Sequence, residues 1–182
     1  YKGTITSAFQ QVEESRIQRR FNSLNRETQK ENVAVFSLNG DFEFAKKENT
    51  SFAYGFEFIR NNISSTAISN ILIVEGTDVI GLENPQNIPT RYPSDGSQYS
   101  TAALYGNYRL DINSKTTFTL GARYTSTHLK ASWKEQALID SRLNSVNVTN
   151  DALTGSLSVS FRPQRAWRMS LLLSNGFRAP NV

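Results

Sequence analysis

A period of two runs through this chain and decides what it can fold into. In Phe52-Ala53-Tyr54-Gly55-Phe56-Glu57-Phe58 every second side chain is a large aromatic ring. Successive side chains of a strand point to opposite faces, so this segment has one greasy face and one that carries Ala53, Gly55 and Glu57. The stretch from about 32 to 45 repeats the pattern, setting Ala34, Phe36, Leu38, Gly40, Phe42 and Phe44 against Val33, Val35, Ser37, Asn39, Asp41 and Glu43. Further alternating runs lie at about 2–20, 99–112, 118–125, 153–162 and 167–174. The count is about seven antiparallel strands.

The connections sort by length. Those near 46–50, 113–115 and 163–165 are tight and polar, whereas those near 21–31, 67–98 and 133–150 are long, in strict alternation. The longest holds Gly76, Gly81, Pro85, Pro89, Pro93 and Gly96, a density of breakers that predicts no continuous regular element. Residues 22–30 read as a loop, with short helices over 23–31 and 133–143 as the competing reading. The first run is polar on both faces from Gln10 to Arg20. A strand of about 10 residues crosses a bilayer, so that half is expected to rise into water.

No apolar run approaches the length of a membrane-spanning helix. A mean hydropathy of -0.45 does not argue against a membrane, because only alternate residues of a barrel strand face lipid. The polar faces carry Asn39, Asp41, Glu43, Glu57, Asn107, Arg109, Asp111 and Arg123, opposite apolar rows. In a wide barrel such charges meet water or one another and escape the cost of burial. Short turns at one rim and long connections at the other are the habit of outer-membrane barrels. A passive porin shares these features. A soluble β-sandwich serving adhesion or carbohydrate binding is the alternative from another class; it requires a second sheet packed on Phe52, Tyr54, Phe56 and Phe58.

The 20 Lys and Arg against 16 Asp and Glu leave a charge of +4, but the cations are scattered among acids, which speaks against a nucleic-acid partner. With no cysteine there is no disulfide framework or thiolate metal site. Nucleotide loops, zincin helices and nucleophile elbows are absent from the sequence, so no enzyme activity, catalytic residue or metal site is expected. His128 shares its face with Phe118, Leu120 and Tyr124 and is expected to point outward rather than to ligate haem. Tyr1 opens directly into strand-like sequence, so the chain reads as an internal segment.

The last alternating run leads into Phe177-Arg178-Ala179-Pro180. This resembles the "FRAP" motif of TonB-dependent outer-membrane receptors. Gln11-Val12-Glu13-Glu14-Ser15-Arg16 with Arg19-Arg20-Phe21 is similar to the Bacteroidetes receptors of the haem and haemoglobin uptake branch. The resemblance implies a barrel of 22 strands closed by an N-terminal plug, in the outer membrane of a Gram-negative bacterium. Such receptors import a scarce iron-bearing ligand, haem or a ferric siderophore, with energy passed on by TonB. Residues 1–182 would then be part of one transmembrane β-barrel domain whose plug, TonB contact and remaining strands lie outside the chain, and whose surroundings are outer-membrane lipid. This segment is not expected to bind a cofactor of its own. The motif residues Phe177, Arg178, Ala179 and Pro180 are expected to be architectural, with the strand ending near Ala179 because Pro180 has no N–H to give. Tyr92 and Tyr99, in and beside the longest connection, are the candidate ligand contacts.

Overall fold

The structure is a computed structural model that describes residues 1–134 and 144–178. Eight strands form one antiparallel sheet, with no helix among the described residues. They are β1 (Lys2–Arg19), β2 (Asn25–Lys47), β3 (Thr50–Glu75), β4 (Asp78–Asn87), β5 (Ser97–Asn113), β6 (Thr116–Ser132), β7 (Ser145–Gln164) and β8 (Trp167–Ser174). The sheet runs β1-β2-β3-β5-β6-β7-β8, and β4 pairs with the upper part of β3 alone. β1 and β8 stand at its two open edges.

All seven expected strands are present, and the three tight turns fall at 48–49, 114–115 and 165–166. The Asn113 side chain fastens the second of these by accepting from the Lys115 amide at 2.9 Å. The long connections differ from the expectation. Residues 25–30 belong to β2, paired through to Arg19↔Arg26, which leaves only 20–24 as a turn. Asn22 takes a left-handed φ of 57° there, and Ser23 accepts from the Asn25 amide at 3.1 Å. Neither strand is helical because each ladder continues unbroken above the apolar band. Likewise β3 runs on to Glu75 and turns through Gly76, at φ 63°, into β4. Pro85 is tolerated in β4 because that strand is an edge. The register slips between Ser69 and Ile71 to absorb Asn84-Pro85, with Asn84 at φ 52°. The helical reading of 133–143 falls mostly outside the described residues.

Pairing confirms that the two faces are distinct. Even-numbered residues of β2, β3, β5 and β6 share one face, and with them Gly3, Ile5 and Phe9 of β1, Leu153 to Phe161 of β7 and Trp167 to Leu173 of β8 at odd positions. Ile5, Phe9, Phe36, Phe52, Tyr54, Leu104, Tyr108, Leu120, Tyr124, Leu153, Trp167 and Leu171 all lie on it and are all exposed. The second sheet that a sandwich would need does not occur among the described strands. Rings stack across strands, Phe42 on Tyr54 at 5.4 Å and Tyr1 on Phe44 at 4.7 Å. Glycines make room for them: Phe42 lies over Gly3, Phe56 over Gly40 and Phe52 over Gly106.

The buried residues occupy the other face. Glu31, Ser65, Ala67, Ser97, Ala103, Thr125, Thr127, Leu129 and Ala131 are all odd-numbered on β2, β3, β5 and β6, with Leu72 and Gly40, the latter beneath Phe56, the exceptions. This is the inward face. The level at which the outward rows turn polar slips along the register: Phe58, the last outward ring of β3, lies opposite Leu38, whereas β2 stays apolar up to Ala34. Such a slip is what strands inclined to a flat lipid boundary require.

Candidate functional site

On the inward face one ladder row carries Asp41, Gly55, Tyr105, Arg123 and Thr154, each directly opposite the next. Tyr105 lies across β3, and its hydroxyl donates to the Asp41 carboxylate on β2. Only glycine allows this path, because a Cβ at position 55 would come within 2.5 Å of the Tyr105 Oη and 2.6 Å of its Cζ. Arg123 sits over the Tyr105 ring at 5.6 Å, and its Nη2 donates to Glu57 Oε1 at 2.7 Å. Its Nε donates to Thr125 Oγ1 at 3.1 Å, and its backbone carbonyl accepts from Thr154 Oγ1 at 3.3 Å. Five strands, β2, β3, β5, β6 and β7, are thereby tied by a network that remains about one-third exposed at Arg123 and Glu57. Two carboxylates against one guanidinium leave acceptor capacity on this wall. Nearer the short turns, Asp111 accepts from Arg109 at 3.2 Å and from Thr117 at 2.6 Å.

A second polar group lies above the apolar band. Arg91 approaches Glu31 at 3.8 Å and stacks on the Tyr92 ring at 5.5 Å, while Thr90 Oγ1 donates to the Tyr92 carbonyl at 2.6 Å. The Glu31 side chain is only 10% exposed, so that the segment before β5 is drawn down onto β2 by a half-screened ion pair. The same segment is held to β6 at its other end. Gly96, at φ 93°, accepts from the Ser132 amide, and Asp95 accepts from Lys134 Nζ at 2.7 Å and from Ser132 Oγ at 3.1 Å. Those hydrogen bonds, Lys134 foremost, hold the Asp95 carboxyl below its ordinary pKa, and the Asp95 carboxylate raises that of Lys134.

Of the residues singled out from the sequence, Tyr92 stands in this tethered segment and Tyr99 faces inward on β5, between Asn61 and Leu129. They are not brought together in one contact. Phe177 and Arg178 are exposed, while Ala179 and Pro180 lie outside the described residues. The ladder ends earlier than expected, at Ser174. Asn175 takes over there: its Oδ1 accepts from the Gly155 amide at 2.6 Å and its own amide donates to the Gly155 carbonyl at 3.1 Å. His128 points outward as its parity predicts, with Nδ1 2.8 Å from Thr149 Oγ1. Among the described residues no cluster of His, Asp or Glu is grouped to hold a metal ion. The Gly55–Tyr105–Asp41 arrangement went unread in the sequence, because alternation gives the face of each residue but not its cross-strand partner.

A sequence profile of the family described as "TonB dependent receptor-like, beta-barrel" matches residues 2–182. The chain belongs to this family. No curated protein sequence matches it. Among solved structures, that of the ferric yersiniabactin uptake receptor FyuA from Yersinia pestis is similar, with a TM-score of 0.56 at 15% sequence identity. The likeness covers 93% of this chain and 24% of that receptor, so the chain spans about a quarter of its length. At that identity the likeness is one of fold. For a TonB-dependent receptor barrel, the exposed rings become the lipid-facing band and the Asp41–Tyr105–Arg123–Glu57 network becomes lumen wall.

Proposed function

We propose that residues 1–182 form part of one transmembrane barrel domain of an outer-membrane active-transport receptor. In this reading they line the path of an iron-bearing ligand, haem or a ferric siderophore. The observation that carries it is the pairing of a continuous outward row of exposed rings with an inward wall of hydrogen-bonded charges, in a chain of the TonB-dependent receptor family. The rings match lipid, and the wall keeps a hydrated passage polar. Coupling to TonB and closure by a plug would come from parts of the polypeptide outside this segment. Tyr92, held beside Arg91 and Glu31 above the band, and Tyr99, facing inward, are the proposed contacts for arriving ligand. Neither is a metal ligand in this reading.

The test is iron uptake by cells that carry the full receptor as their single route for one chelate, offered in turn as haem and as ferric siderophores. Uptake that needs both the receptor and an energised inner membrane supports active transport. Uptake that persists without TonB points to a passive pore, and a receptor that fractionates as a soluble protein refutes the reading.

A further inference from the structure

The outward face changes character abruptly above the rings. Directly over Phe58 the two next rows read Arg60, Ser100, His128 and Thr149, then Asn62, Gln98, Lys130 and Asn147. Neither row contains a carboxylate. The Arg60 guanidinium is held by neutral acceptors, Asn62 Oδ1 at 3.4 Å and the Gln98 side-chain carbonyl, so its charge is oriented but not cancelled. Lys130 is exposed and has no ion-pair partner among the described residues. A depression of about 540 Å³ opens here, lined among others by Arg60, Asn62, Gln98, Lys130 and Asn147, with the Asp95 carboxylate at its upper end. Among the described residues the carboxylates nearby are Asp95, which is paired with Lys134, and Asp151 in the row below, which accepts from Tyr124 and keeps its charge, so that Arg60 and Lys130 outnumber the one uncancelled acid.

The geometry points to a binding site for the phosphate groups of an anionic lipid headgroup in the outer leaflet, the acyl chains lying down over Phe58, Phe56 and Leu104. Position and charge together select this occupant. A soluble anion has no use for the ring surface directly below, and an uncharged lipid none for the cations. This inference rests on the outer-membrane reading above, since it takes the rings as lipid-facing.

The test uses the full receptor folded in detergent and native mass spectrometry to count retained lipid. Bisphosphorylated lipid A, the same lipid stripped of phosphate, and inorganic phosphate are offered separately. Expected is retention of the phosphorylated lipid, about 30-fold weaker in the Arg60→Gln/Lys130→Gln variant. Lys115→Gln, at the opposite rim, is expected to retain it as the wild type does. Equal retention of the stripped lipid by the wild type, or unchanged retention by the double variant, overturns the site. Displacement of the lipid by millimolar inorganic phosphate overturns the lipid as its occupant. A receptor that folds as a detergent-soluble barrel yet shows no preference for phosphate refutes this site alone; one that needs no detergent refutes the outer-membrane reading as well.

Discussion

Gly55→Ala is the smallest change that should open the inward network. The added Cβ would meet the Tyr105 hydroxyl at 2.5 Å and also the Gly40 carbonyl, so Tyr105 must leave Asp41. The hydrogen bond to a charged carboxylate contributes about 1.5–3 kcal/mol where it is shielded, and this one is partly wet, which favours the lower figure. Losing the Arg123 stacking adds about 0.5–1 kcal/mol. Alanine returns about 0.5 kcal/mol by restricting the unfolded chain. These terms come to about 1.5–2 kcal/mol of destabilisation before the clash with the Gly40 carbonyl is added, so the measured loss should be at least that, read from urea unfolding of the full receptor in detergent by the loss of heat-modifiable migration. The discriminating measurement is a double-mutant cycle with Tyr105→Ala. If Gly55 matters because Tyr105 lies over it, the alanine at 55 should cost about 2 kcal/mol less once the ring is gone, the remainder being the clash with the Gly40 carbonyl. Strict additivity of the two changes would refute the argument.

Three further outcomes are expected. Phe56→Arg, in the middle of the outward band, should cost about 2–4 kcal/mol of folding free energy in lipid, whereas Asn147→Arg in the polar rows above should change stability by less than about 0.5 kcal/mol; similar costs at both sites would contradict the placement of the lipid boundary. The Asp95–Lys134 tether should be pH-limited on both sides. The folded pKa of Asp95 is depressed, so its contribution is full above the unfolded value near 4 and is lost as pH falls through the lower folded value. That of Lys134 is raised, so its contribution is full below about 10 and is lost at higher pH. Hydrogen exchange of the 93–98 segment, corrected for intrinsic rate, should rise at both extremes, and Lys134→Met should remove the alkaline rise and shrink the acid one, which the Ser132 hydrogen bond still sustains. Asn175→Ala should leave the Gly155 amide without its acceptor, costing about 1 kcal/mol, with faster exchange of that amide as the local readout.

Alternation was enough to assign faces because the apolar band forces contrast between neighbours. Phe52 to Phe58, Ala34 to Phe44 and the row through Phe118 to Tyr124 could be read for this reason, and so could the outward aim of His128. The contrast vanishes above the band. Gln10 to Arg19 and Asn25 to Lys30 are polar on both faces, so nothing in their composition distinguishes strand from loop, and only the ladder between them shows that they pair. β4 was hidden by a different cause. Its Gly81 and Pro85 are breakers in the interior of a sheet but are permitted at an edge, and the sequence does not announce which strand will be one. Tyr92 and Tyr99 were found as loop aromatics, yet Arg91, which ties its loop to Glu31, carries no signature without the register.

Alternation also leaves a deeper ambiguity, which the glycines resolve. Slipping one strand by one residue turns its rings inward and is excluded by the pattern alone. A slip of two keeps every residue on its own face, so hydrophobicity is indifferent to it. At that register, Phe56 would lose the hollow over Gly40 and meet Leu38 or Phe42, and Tyr105 would fall on Ala53 or Glu57 instead of crossing Gly55 to Asp41. Phe42 would likewise leave Gly3. Large side chains seated on glycines thus act as a second code laid over the first, with one set on the lipid side and one in the lumen. The binary pattern selects the face, and the ring-on-glycine pairs select among the even registers that the pattern allows. The charged wall inherits its geometry from that choice, because Asp41, Tyr105, Arg123 and Glu57 meet only in the register that places Gly55 beneath the tyrosine.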